Sequence, residues 1–121
     1  MDSLQYIYEL IKDEYTRTYM SYIPQSEILN SYNQVVLIQP VVLEPTKNKD
    51  NAVLDIETIA VTVFCGNYNT ANSTANAIRN ILEEVEANQY IREIEFDNKT
   101  YLYDEEELIH KVIVSFNVHA K

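Results

Sequence analysis

The short pattern in this chain with a mechanism attached is Asp97-Asn98-Lys99. Acid-x-lysine is half of a metal-dependent nuclease motif, in which two carboxylates hold Mg²⁺ and the lysine supports the attacking water. Asp55 and Glu57, two residues apart, point to one face of a strand with roughly 6.5–7 Å between them. In such enzymes the acid-x-lysine stretch sits on a strand, whereas Asp97-Asn98-Lys99 has the composition of a tight turn. A nucleophile paired with a base would need Cys65 beside His110 or His119. Cys65 ends an apolar run and reads as a small buried residue. His110 and His119 are nine residues apart on one strand, an odd step that puts them on opposite faces, so they cannot share a metal from within it.

The remaining signatures are subtractive. The only glycine, Gly66, cannot build a phosphate-cradling loop. A single cysteine makes neither an internal disulfide nor a Cys-rich zinc site. Asn72-Ser73-Thr74 and Asn98-Lys99-Thr100 match glycosylation sequons, but Met1 is not followed by the basic head and apolar stretch of a secretory signal. No apolar run is long enough to cross a bilayer. The chain is therefore expected to have no catalytic, metal or cofactor site and not to be an enzyme.

Charge says more than motif. Nine Lys and Arg against nineteen Asp and Glu leave −10, and such a chain should repel phosphate backbones, whose affinity for proteins comes from cations. Ten of the nineteen carboxylates fall between Glu83 and Glu107, with Arg92 and Lys99 as the cations there. A concentrated negative surface is most simply a solvated face, and it can also line a channel.

The elements that must position these residues follow from periodicity. Leu4, Tyr8, Ile11, Tyr15, Tyr19 and Tyr22, widened by Ile7 and Leu10, make a helical stripe capped by Asp2 or Ser3 and ended by Pro24. Residues 35–43 form a Val-rich strand in which Pro40 demands an edge or a kink. Residues 53–65 form a second strand whose inward phase switches near Glu57–Thr58, as a bulge would cause. A second helix carries Ala71, Ala75, Ile78, Ile81 or Leu82, and Val85 on its apolar side. Tyr90–Phe96 and Thr100–Tyr103 form a hairpin about Asp97-Asn98-Lys99. After a charged turn, residues 108–120 alternate, with Val112, Val114, Phe116 and Val118 on one face. The order α-β-β-α-β-β-β implies an α+β fold, a mostly antiparallel sheet with two α-helices packed on one face. At 121 residues this is one domain, 1–121, with a mobile hairpin loop at 44–52.

The succession LQYIYELIKDEYTRTYMSYIPQ, VVLIQPVVLEPTKNKDN, LDIETIAVTVFCGNYNTANSTANAIRNILEEV and YIREIEFDNKTYLYDEEELIHKVIVSFNVHA resembles the tail terminator and tail-to-head joining proteins of long-tailed bacteriophages, also called tail-completion or minor tail proteins. The likeness lies in element order and size over nearly the whole chain. Its best local piece is Ile59 to Val85, a strand, short turn and Ala-rich helix.

The resemblance implies a structural virion protein, assembled in the host cytoplasm. It would form a ring, usually a hexamer, that caps the tail tube and joins it to the neck and head. Expected partners are further copies of the chain, the tail tube protein and neck or head-completion proteins. DNA would slide through a negative lumen without specific binding, and no membrane or cofactor is involved. The implied assembly loop is Glu44, Pro45, Thr46, Lys47, Asn48, Lys49, Asp50 and Asn51. Candidates for the acidic lumen or interface are Glu83, Glu84, Glu86, Asp104, Glu105, Glu106 and Glu107. The alternatives are another head-tail connector (stopper or head-completion ring) and a non-viral adaptor that presents an edge strand and tyrosines to a protein partner.

Overall fold

Asp2 starts the fold as a helix cap, its Oδ1 accepting the Gln5 backbone N–H at 2.7 Å. The helix α1 spans Ser3–Glu14 and buries Ile7 and Ile11, one turn apart. It ends well before Pro24, so the expected continuation of the tyrosine stripe to Tyr22 is corrected. Thr18 Oγ1 donates to the Tyr15 carbonyl at 2.5 Å, diverting a group the helix would need, and the Thr- and Tyr-rich run that follows favours a pleated surface. Thr18–Met20 accordingly forms a short strand, β1. These and the elements below lie within residues 2–24, 34–41 and 56–120, which the computed structural model describes.

The other strands are β2 (Val35–Pro40), β3 (Ile56–Cys65), β4 (Ile91–Asp104) and β5 (Ile109–Ala120), with helix α2 (Tyr68–Glu83) between β3 and β4. Among the described residues the strands form one five-stranded sheet in the order β1-β2-β3-β5-β4. The β1–β2 pair is parallel and the other pairs are antiparallel. This is the α+β class expected from the sequence, with a mostly antiparallel sheet, although the order along the chain is α-β-β-β-α-β-β.

Pro40 is tolerated for a geometric reason. The Val36 N–H bonds Arg17 in the β1 direction and the Val41 N–H bonds Thr58 on β3, so even-numbered β2 residues direct their N–H toward β1. Since β1 pairing stops at Met20↔Ile38, Pro40 removes no ladder bond. Its strand lies inside the sheet, but among the described residues no strand pairs with it on that flank at Pro40.

Two further expectations are corrected. The β3 register runs without a shift from Ile56↔His119 to Cys65↔His110, so no bulge lies at Glu57–Thr58. The shifts occur in β4 instead, between Ile91 and Glu93 and between Phe96 and Asn98, which leaves Arg92 and Asp97 as the extra residues. The turn expected at Asp97-Asn98-Lys99 is therefore a bulge within one continuous 14-residue strand. Twelve residues of β5 offer an uninterrupted ladder, and pairing along it outweighs the local turn preference. The hairpin turn comes at residues 105–108.

Both helices pack on one sheet face. Their Ile7, Ile11, Ala71, Ala75, Ile78 and Leu82 join Val36, Ile38, Ile59, Val61, Val63, Val112, Val114, Phe116 and Val118 in a single core. Phe116, fully buried, meets Phe96 edge-on at 6.0 Å between centroids. Each fully buried Ile or Leu contributes about 1.5–3 kcal/mol. Asn67 caps α2, its side chain accepting from the Thr70 N–H at 3.1 Å, and Ala71 and Ala75 let the helix lie close to the sheet.

Candidate functional site

α2 lies across β4 and β5 in a direction fixed by side-chain contacts. At its start the Tyr68 ring meets Tyr101 edge-on at 5.0 Å. One turn on, Lys99 Nζ donates to Asn76 Oδ1 at 3.0 Å and also to Asn72 Oδ1. Near its end the Arg79 guanidinium lies 3.6 Å over the Phe96 ring and its Nε bonds Glu83 at 2.7 Å. The helix therefore runs antiparallel to β4, and the β4–β5 hairpin extends past the helix N-terminus.

This arrangement divides the acidic residues into two groups. Glu83, Glu84 and Glu86 sit at the C-terminal end of α2, while Asp104, the last residue of β4, and Glu105, Glu106 and Glu107 of the turn lie at the hairpin tip. The 16 residues of α2, about 24 Å of helix, lie between them. The seven carboxylates are not one surface. Those at the helix end oppose the negative end of its dipole, with no basic residue in the last turn. At the hairpin tip Asp104 Oδ1 accepts the Glu106 and Glu107 backbone N–H groups at 3.0 and 3.1 Å. The expected assembly loop, Glu44 to Asn51, lies outside the described residues.

The tip also carries the largest concentration of exposed apolar side chains among the described residues: Tyr101, Leu102, Tyr103 and Leu108, the last 63% exposed. Leu108 adopts φ 56°, the left-handed region that costs a branched residue about 1–2 kcal/mol. A shallow depression beside it is lined by Leu102, Tyr103, Asp104, Glu105, Glu106 and Lys111. The sequence placed a charged turn between Leu102 and Leu108, but periodicity alone missed the length of this arm, because an additional turn was expected at Asp97-Asn98-Lys99. The signal was the acidic run Asp104–Glu107 flanked by large apolar residues.

The residues first considered for chemistry are distributed otherwise. Asp97 is the exposed bulge residue, and Lys99 turns to α2 rather than toward a carboxylate pair. Glu57 accepts from Ser3 Oγ at 3.4 Å, and Asp55 lies outside the described residues. Cys65 and His110 are cross-strand neighbours, which the sequence did not disclose, but Cys65 is 1% exposed and out of a substrate's reach. His110 is enclosed by rings: its Nδ1 lies 2.6 Å from the Tyr101 hydroxyl and its centroid 4.5 Å from Tyr103. His110 and His119 occupy opposite faces, as the odd step requires. Burial, reinforced by Glu14, raises the Tyr15 phenol above its ordinary 10.0. No helix among the described residues is long and apolar enough to cross a membrane.

No protein-family model matches the chain, and no curated protein matches it. Among solved structures, a chain from the virion of a native gene transfer agent particle superposes with a TM-score of 0.58 at 13% identity. The match covers 94% of this chain and 83% of that one. At this identity the likeness is one of fold.

Proposed function

We propose that this chain is a structural protein of a phage-like virion, forming a ring at the head-proximal end of a tail. There it caps the tail tube and joins it to the neck through a DNA-conducting lumen. The observation that carries this reading is the fold shared, over 94% of the chain, with a chain of a gene transfer agent virion. The proposed role is assembly rather than catalysis, without a cofactor, and its partners are further copies of the chain in a hexamer, the tail tube protein and neck proteins.

The apolar hairpin tip and the charge distribution support the same role. Tyr101, Leu102 and Tyr103 stand exposed on the outermost strand and Leu108 in the turn that follows it, where a neighbouring copy would cover them. With the tip taken up between copies, the Glu83–Glu86 end of α2 is the acidic group left for the lumen. A net charge of −10 lets DNA pass without the counterion release that makes it adhere.

Absolute mass by light scattering over a wide concentration range, with and without purified tail tubes, tests this. A closed ring is expected, alone or on tube ends, and Leu102→Asp should reduce it to monomer without unfolding the chain. A monomer that ignores tubes overturns the reading in favour of an adaptor module. A ring that forms but does not cap tubes assigns it to a stopper or head-completion position in the neck.

A further inference from the structure

On the sheet face away from the helices, β4 and β5 bring three metal-ligating side chains together. Glu93 pairs directly with His119, and Glu95 pairs with Asn117 one step along the same face. The bulge at Arg92 sets this phase. Without the extra residue Glu93 and Glu95 would point into the core, where Ile94 and Phe96 now lie. One ligand atom from each of Glu93, Glu95 and His119 falls within a 4.8 Å cluster.

His119 makes this more than a pair of surface acids. Its Nε2 is buried and makes no hydrogen bond among the described residues, while Glu95 Oε1 lies 3.1 Å away at ion-pair distance. An imidazole nitrogen facing a carboxylate oxygen at this spacing is the donor pair that a bound cation would bridge. The 3.1 Å spacing is close to the nitrogen–oxygen edge of a tetrahedral zinc site, about 3.3 Å for metal–ligand bonds near 2.05 Å. Backbone pairing fixes all three Cα positions. The two glutamates are exposed, so closing the larger spacing requires only their rotation about side-chain bonds.

We propose that Glu93, Glu95 and His119 bind one divalent first-row transition-metal cation, with Zn²⁺ the best match. One imidazole and two carboxylates suit zinc, and three protein ligands leave a fourth position for water. The ion straps the outermost strand to β5 at the end of the hairpin opposite its tip. This does not depend on the chain's being a tail protein.

The test is calorimetric titration of the untagged, metal-stripped chain with Zn²⁺, accompanied by a nitrogen-15 NMR spectrum of the imidazoles. One ion per chain is expected, with a shift of the His119 Nε2 resonance and little change at His110. Glu95→Gln and His119→Gln should each weaken binding at least tenfold, and His110→Gln should leave it unchanged. Glu93→Gln, at an exposed position, guards against loss of fold as the cause and should also weaken binding. Absence of binding at millimolar Zn²⁺ overturns the assignment. So does binding that survives the Glu95 and His119 substitutions, or a His119 resonance that responds only to pH, which would make the pair a simple ion pair.

Discussion

Lys99 Nζ bridges two successive turns of α2, donating to Asn76 Oδ1 at 3.0 Å and to Asn72 Oδ1. The contact ties the middle of β4, two residues beyond the Asp97 bulge, to the helix that covers the sheet. The lysine of the acid-x-lysine pattern acts as a tether instead of orienting a nucleophilic water. Lys99→Met keeps the aliphatic stem and removes the donor. It should cost about 1 kcal/mol, read as a lower urea midpoint with an unchanged slope. Combined with Asn76→Ala it should cost less than the two single changes added together, because they remove one interaction. Strict additivity would show that the tether contributes nothing to stability.

How far the fold could be read in advance depended on whether local pattern and tertiary pairing agreed. In β5 they do: Val112, Val114, Phe116 and Val118 alternate in sequence and are all buried. In α2 the Ala71–Ala75–Ile78–Leu82 spacing alone places the buried face. They disagree at Tyr19, where an accidental helical spacing continues past a helix that has already ended at Glu14. They disagree again at Asp97-Asn98-Lys99, where turn-forming residues are absorbed as a bulge because β5 supplies partners on both sides. The Glu93–Glu95–His119 cluster was hidden for the same reason. Its members come together only through a register that the Arg92 bulge sets, and no local pattern announces it.

The C-terminal end of α2 carries Glu83, with Glu84 as its cap and Glu86 just beyond. Three carboxylates near the negative end of a helix dipole oppose it, and among the described residues only Glu83 of the three has an ion-pair partner, Arg79. Glu84→Gln should therefore stabilise the isolated chain, by about 0.3–1 kcal/mol at low ionic strength. The gain should shrink as salt is added. Thermal unfolding in 20 mM and 500 mM NaCl distinguishes this from a contact effect, which salt would leave in place.

Leu108 holds φ 56° while exposing 63% of its surface, so it combines backbone strain with little burial in the single chain. Leu108→Gly removes the strain but gives the unfolded chain more freedom, which offsets part of the gain. The net expectation is a small stabilisation of the monomer, about 0.5 kcal/mol. In the proposed ring the leucine packs against a neighbour, so the same variant should assemble less readily. A higher urea midpoint together with a lower ring fraction by light scattering is the expected pair of results. Unchanged assembly would remove Leu108 from the interface.

Tyr15 supplies a pH dependence of defined sign. Burial disfavours the phenolate, and the neighbouring carboxylate of Glu14 adds to that, so the folded pKa lies above the ordinary 10.0. The folded chain then holds this proton more tightly than the unfolded one. The associated stability is complete below the unfolded value and is lost as pH climbs from about 10 through the raised folded value. Tyr15→Phe has no proton to lose at this position, so its stability should fall less steeply over the same alkaline range. Ten tyrosines share the ultraviolet signal, so the measurement is the difference titration at 295 nm between parent and variant. That difference should isolate one phenol ionising above pH 10, and the urea midpoint of the parent should fall relative to that of the variant between pH 8 and 11. A difference curve centred at or below pH 10 would mean that neither burial nor Glu14 acts on this hydroxyl in solution.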